Sequence, residues 1–300
     1  MFSGSLVALV TPMSGDGALD MGAWDRLIDL HLHGGTTAIV VGGSTGESVT
    51  LTDAEQETLL ARARRRAAGR MAVIAGVGGS NTAAVAARVR ALSAAAPDAL
   101  LAVTPAYSRP TQEGLYRHMH ALAEASTVPV LLYNVPGRTA VDLQPHTVAR
   151  LAAHPRIVGI KEALGDLVRV RELVGAVPGN FAVLSGDDAT ACEAVIAGAR
   201  GVISVTANLL PQAVATVMAA ALRGERELAM KLDGPLQALH RALGLEPNPI
   251  PVKWALAEMH LISPGIRLPL TWLSAAMEPQ LRSALAAAGV DSAALQARSA

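Results

Sequence analysis

AIVVGGSTGESVTLTDAEQETLLARARRRAAGRMAVIA, residues 38–75, begins and ends on short β-branched apolar runs, Ala38–Val41 and Ala72–Ala75. Both runs are continuously apolar rather than alternating, which is the pattern of parallel strands buried on both faces. Between them Thr52-Asp53-Ala54-Glu55 is a capping-box pattern, and it opens a long Ala/Arg/Leu stretch that reads as a helix. Working outward, the same grammar recurs. Further apolar runs are Leu6–Val10, Leu100–Val103, Val130–Tyr133, Ile157–Ile160, Ala182–Leu184 and Val202–Val205. From Asp20 to Leu32 the residues Trp24, Leu27, Ile28 and Leu30 fall at near-helical spacing, and Asn81 to Ala95 is an Ala- and Val-rich helical stretch. Eight strand–helix units in about 220 residues is the count of a (β/α)8 TIM barrel. A doubly wound open sheet gives a similar alternation, so periodicity alone leaves closure open. The expected organisation is a barrel over residues 1–223 that carries the site. A C-terminal helical extension, residues 224–300, follows it, with Pro247, Pro249 and Pro251 interrupting its helical patterns.

Composition excludes several classes. Of 300 residues, 51% are hydrophobic and 17% charged, enough to bury a large core and too apolar for disorder. Lys+Arg and Asp+Glu are both 25, and a net charge of zero argues against a general nucleic-acid binder. The single Cys, Cys192, excludes an intrachain disulfide framework and a Cys-based zinc site, and fits a reducing compartment. The stretch MFSGSLVALVTPM has no Lys or Arg before its apolar run and does not read as a secretory signal. No uncharged apolar run reaches the roughly 18 residues a membrane span needs.

In a barrel, chemistry sits just after the C-terminal ends of the strands. After the second run comes Gly42-Gly43-Ser44-Thr45-Gly46-Glu47-Ser48. Such a loop is ordinarily a flexible turn, but its successive N–H groups can also cradle a small anion such as a carboxylate. The P-loop spacing is absent. After the fourth run stands Tyr107, and after the fifth Tyr133-Asn134-Val135-Pro136-Gly137-Arg138-Thr139; two of the three Tyr thus fall at strand ends. Arg138 is either a surface residue or a bidentate grip on a carboxylate. The sixth run ends in Lys161, with Glu162 on the opposite face. A strand-edge Lys ordinarily reaches solvent, whereas one desolvated in a barrel mouth is a carbonyl nucleophile that forms a Schiff base. Ser185-Gly186-Asp187-Asp188 reads as a helix cap rather than a metal site. His31/His33 and His118/His120 read as surface or packing residues, and Cys192 as a small core residue.

Taken together, these residues resemble the dihydrodipicolinate synthase family of class I pyruvate-dependent aldolases. The resemblance is carried by Gly43-Ser44-Thr45-Gly46-Glu47, Tyr133 to Thr139, Ile160-Lys161-Glu162-Ala163 and Gly186-Asp187-Asp188. Gly201 to Val205 and Glu246 to Lys253 extend it over nearly the whole chain. It implies that Lys161 forms an imine with pyruvate and that Tyr133 donates and accepts protons. Ser44 and Tyr107 would link Tyr133 to solvent, Tyr107 reaching across a tight dimer interface into the neighbour's site. It further implies that Thr45 and the loop around it hold the pyruvate carboxylate, that Ile203 contacts pyruvate through its main chain, and that Gly186 belongs to the substrate site. Arg138 would bind the carboxylate of L-aspartate 4-semialdehyde. Neither metal nor cofactor would be needed, and the enzyme would be a cytoplasmic homotetramer, a dimer of tight dimers, in the diaminopimelate route to lysine.

Two departures matter. The family usually has Thr where this chain has Ser44, so the relay hydroxyl is less restricted in rotamer. Lysine-inhibited relatives bind lysine with a His pair, an Asn, a Glu and a Tyr, where this chain has Asp53, Gln56, Ser80, Ala84 and Ala106. The expectation is weak lysine inhibition or none. The rival is a sister pyruvate aldolase acting on a 2-keto-3-deoxy sugar acid or N-acetylneuraminate, and the Arg138 of Pro-Gly-Arg-Thr discriminates against it. Pyridoxal phosphate on Lys161 would call for a phosphate loop that Gly201-Val202-Ile203-Ser204 does not resemble.

Overall fold

The computed structural model describes residues 2–290. Eight parallel strands close into one barrel in sequence order. They are β1 (Gly4–Ala8), β2 (Ala38–Val41), β3 (Ala72–Val77), β4 (Ala99–Val103), β5 (Val130–Asn134), β6 (Ile157–Glu162), β7 (Ala182–Ser185) and β8 (Gly201–Ser204). Closure is made by β1 against β8, with Leu6 opposite Ile203; this settles the choice between barrel and open sheet. Around the barrel run α1 (Met21–His33), α2 (Asp53–Ala67), α3 (Thr82–Ala94), α4 (Gln112–Ala125), α5 (Pro136–Thr139), α6 (Pro145–Leu151), α7 (Leu167–Ala176), α8 (Asp188–Ile196) and α9 (Pro211–Leu222). Then follow α10 (Arg226–Asp233), α11 (Gln237–Ala242), α12 (Ile250–Glu258) and α13 (Glu278–Ala287). No helix of the described residues is long and apolar enough to cross a membrane.

The helices start where side chains satisfy their first free N–H groups. The Thr52 hydroxyl accepts the Glu55 N–H while Glu55 reaches back to the Thr52 N–H, so the capping box is formed. Asp20, Asn81 and Asp187 cap α1, α3 and α8 more simply, each side chain accepting one backbone N–H of the first turn. Strand side chains then sort into two cores. Leu6, Val40, Ile74, Leu101, Leu131 and Leu184 fill the barrel interior. Their neighbours Val7, Ile39, Val73, Leu100, Leu132 and Val183 join the helices in the surrounding layer. Burial on both faces explains why the runs carry no alternation of polarity. Cys192 is buried in the outer layer, and burial pushes its thiol up to about 11.

Candidate active site

β5 and β6 lie side by side with Tyr133 in register with Lys161 and Leu131 with Gly159. That register puts Lys161 in the inward phase and Glu162 in the outward one. Lys161 is 4% exposed, and its Nζ lies 4.5 Å from the centre of the Tyr133 ring. Two glycines allow close packing here, Gly186 against the lysine itself and Gly159 against β7. A Cβ at Gly186 would stand 2.8 Å from Lys161 Cε, and a Cβ at Gly159 would stand 2.5 Å from the Ala182 carbonyl. Gly186 is therefore a close-approach position against the lysine stem, and its N–H is fixed on the Glu162 carbonyl at 2.7 Å. On the outer face Glu162 accepts Asn134 Nδ2 at 3.0 Å and the Leu164 N–H at 3.0 Å. Burial still pushes its carboxyl above the usual range.

Tyr133 also lines a cleft of about 480 Å³, together with Ser44, Arg138, Thr139 and Asn248; Lys161 is not among its lining residues and meets it through the Tyr133 ring. The loop after β2 forms one wall. Its N–H groups at Gly46, Glu47 and Ser48 bond back to the carbonyls of Gly43, Ser44 and Gly43. Those of Ser44 and Thr45 make no such bond among the described residues, which leaves two donors at the loop tip for an anion. Glu47 holds a left-handed φ of +57°, a conformation of order 1–3 kcal/mol above the common regions for a residue with a Cβ. Its side chain and that of Lys253 are fully buried and form an ion pair, and its Oε2 accepts the Arg267 N–H at 3.1 Å.

Asn248 joins two walls of the cleft. Its Nδ2 donates to Thr45 Oγ1 at 2.9 Å, and its carbonyl accepts Arg138 Nη2 at 2.9 Å. The loop with Thr45 and the cation of Arg138 are thus tied to one residue of the C-terminal segment. Ile203 closes the barrel interior beside Leu6. Asp187 caps α8, as expected, whereas Asp188 Oδ2 accepts the N–H groups of Val205 at 2.7 Å and Thr206 at 2.9 Å and holds the end of β8.

The structure thus brings Ser44, Tyr133 and Arg138 to one cleft and sets Lys161 and Gly186 side by side. It does not bring Tyr107 to them: that residue is 97% exposed, with a left-handed φ of +69°. Asn248, Lys253 and Arg267 were missed as site residues. A signal existed for Lys253: it is the one polar residue in the run Ile250–Ala257, and a charge buried in such a run needs a buried partner. Of the histidines, His31 is buried, and burial pushes it down to about 3. His120, Glu124 and His154 come together away from the cleft. His154 Nδ1 accepts the Arg156 N–H at 3.1 Å, so its Nε2–H donates to Glu124 at 2.8 Å and no lone pair is left for a metal.

A closed eight-strand barrel with a buried lysine at the end of its sixth strand is the framework of a (β/α)8-barrel lyase of aldolase type. Residues 1–288 match the Dihydrodipicolinate synthetase family, and the chain belongs to that family. It is 52% identical over 290 residues to the 4-hydroxy-tetrahydrodipicolinate synthase of Ectopseudomonas mendocina (strain ymp), covering 97% of this chain and 99% of that protein. The enzyme of the same name from Methylococcus capsulatus is 51% identical, covering 97% of this chain and all of that protein. Among solved structures, the chloride-inhibited dihydrodipicolinate synthase of Acinetobacter baumannii, complexed with pyruvate, superposes with a TM-score of 0.95 at 47% identity. That match covers 97% of this chain and 100% of the other.

Proposed function

We propose that this chain is a 4-hydroxy-tetrahydrodipicolinate synthase, condensing pyruvate with L-aspartate 4-semialdehyde. The observation that carries the proposal is the register pair Tyr133–Lys161, which puts a buried amine against a phenol ring that lines the cleft. The Lys161 amine adds to the ketone of pyruvate, water leaves, and the resulting imine draws electrons from the methyl carbon. Loss of a proton there gives an enamine, whose carbon attacks the aldehyde. The imine is the electron sink, so the sequence of steps calls for no metal or cofactor. Tyr133 moves protons at the carbinolamine, with Ser44 and a Tyr107 from a second copy as relay. Thr45 and the free N–H groups of its loop take the pyruvate carboxylate, beside the main chain of Ile203 and the space kept by Gly186. Arg138, anchored through Asn248, takes the carboxylate of the semialdehyde.

The assembly belongs to the same proposal. The exposed, strained Tyr107 supports a tight dimer, and the exposed apolar side chains of Leu164 and Val168 support a second contact that makes a tetramer. Residues 1–223 form the barrel and the segment from 224 packs on it, its part beyond 290 lying outside the described residues. The cytoplasm, where a single buried Cys is at home, is the compartment that fits.

Borohydride added with pyruvate should fix one pyruvate unit on Lys161, and Lys161→Ala should abolish that labelling. Purified protein in EDTA buffer should consume pyruvate only when the semialdehyde is present. Labelling that persists in Lys161→Ala would refute the nucleophile. Turnover with a 2-keto-3-deoxy sugar acid in place of the semialdehyde would assign the chain to a sister aldolase.

A further inference from the structure

We propose that the buried Glu47–Lys253 ion pair is a positioning device for the reaction, holding the loop of Ser44 and Thr45 in the shape that receives the pyruvate carboxylate. This rests on the function proposed above and adds residues that lie outside the cleft chemistry.

The geometry favours it over simple stapling for three reasons. First, the anion belongs to the loop itself, two residues from Thr45, and each of its oxygens has a separate partner: Lys253 Nζ on one and the Arg267 N–H on the other. A carboxylate held at both oxygens fixes the backbone that bears it. Second, that backbone is left-handed at a residue with a Cβ. Such a conformation persists where the surroundings over-determine it. Without the pair, Glu47 is drawn back toward negative φ, and that rotation turns the preceding peptides, including the free N–H groups of Ser44 and Thr45. Third, the cation has no other use. Lys253 is fully buried in a turn of α12 whose residues Ile250 to Leu256 are all buried, and Glu47 is its only ion-pair partner among the described residues.

The same helix entry delivers Asn248 to Thr45 Oγ1. The loop is therefore gripped at two points from the C-terminal segment, by a neutral hydrogen bond at its tip and by a charge pair at its base. Burial makes the base grip sensitive to chemistry. Burial pulls Lys253 below its usual range while the Glu47 charge opposes this, so removing the anion leaves an ammonium with nothing to hold it charged. The other charge that acts on Lys253 is Arg267, whose guanidinium is itself paired with Glu55 at 2.5 Å.

The test measures pyruvate half-saturation of borohydride trapping and the steady-state kcat and KM, in wild type, Lys253→Met, Glu47→Gln and the double variant. Thermal midpoints are recorded on the same samples, and kinetics run well below them. In both single variants the half-saturation for pyruvate and its KM should rise about tenfold or more, while kcat changes by no more than about threefold. The double variant, with neither charge left in the interior, should recover part of that loss. Glu47→Gln keeps the volume and still accepts from Lys253, so it reads the effect even where Lys253→Met does not fold. Lowered midpoints with unchanged pyruvate half-saturation would overturn the proposal and leave the pair a staple. Losses that multiply in the double variant would overturn the coupling. Wild type that is not trapped at all would overturn the Schiff-base function first, and this inference with it.

Discussion

Arg138 is exposed at the rim, yet one of its guanidinium nitrogens is committed to the Asn248 carbonyl. That leaves the rest of its planar fork to a carboxylate and fixes the direction from which it is offered. Arg138→Ala should therefore raise the semialdehyde KM or lower kcat by about tenfold or more, with pyruvate labelling of Lys161 almost unchanged. Equal damage to both half-reactions would show that Arg138 is structural. At this scale the sequence was informative wherever a polar residue ended an apolar run: Tyr133 and Lys161 are both such residues, and the structure makes them neighbours in register. It was uninformative for Asn248. An Asn between two prolines reads as a turn, and its partners Thr45 and Arg138 are set by closure of the chain rather than by spacing.

At the scale of elements, the apolar runs marked every strand, stopping one or two residues short at the ends of β3, β5, β6 and β7 and overrunning the ends of β1 and β8, the two overruns for one reason. The first run extends to Val10, yet β1 ends at Ala8, because the Val10 N–H goes to Asn208 Oδ1 at 3.0 Å. The last run extends to Val205, yet β8 ends at Ser204, because Asp188 takes the Val205 N–H. Apolarity reports burial, and these residues are packed against the barrel without extending its ladder. The helices α2 and α3 hold a second consequence. The Arg88 guanidinium of α3 pairs with Asp53 at 3.1 Å and donates to Gln56 Oε1 at 2.9 Å, and it also pairs with Glu57. At Asp53 and Gln56, positions that the family resemblance sets against lysine, the chain thus offers an aspartate already paired with a fixed cation. Millimolar lysine should leave the steady-state rate unchanged, and submillimolar inhibition would refute this.

For the whole molecule, the sequence left closure open, and the pairing of β1 with β8 decides it. What no single chain displays is a use for Tyr107, held strained at 97% exposure on the β4–α4 loop. Strain of that kind persists where something outside the loop repays it. If a second copy does so, Tyr107 of one protomer serves Lys161 of its partner. The impaired Tyr107→Phe variant and the inactive Lys161→Ala variant should then complement when co-expressed. Random pairing makes half the dimers mixed, each with one intact site of two, so activity should return to about a quarter of wild type. No recovery above the mean of the two parents would place Tyr107 outside the partner's site.

The fastening of residue 47 to residues 253 and 267 also sets a schedule for the nascent chain. Domains form as they emerge from the ribosome, and by the time β8 has emerged Lys161, Tyr133 and Arg138 are all present. The carboxylate cradle is not, because its anchors are 206 and 220 residues downstream of Glu47. A polypeptide released between β8 and Arg267 would carry the nucleophile without the grip that aims pyruvate at it. Competence arrives late in translation, when the last third of the chain folds back onto the first sixth.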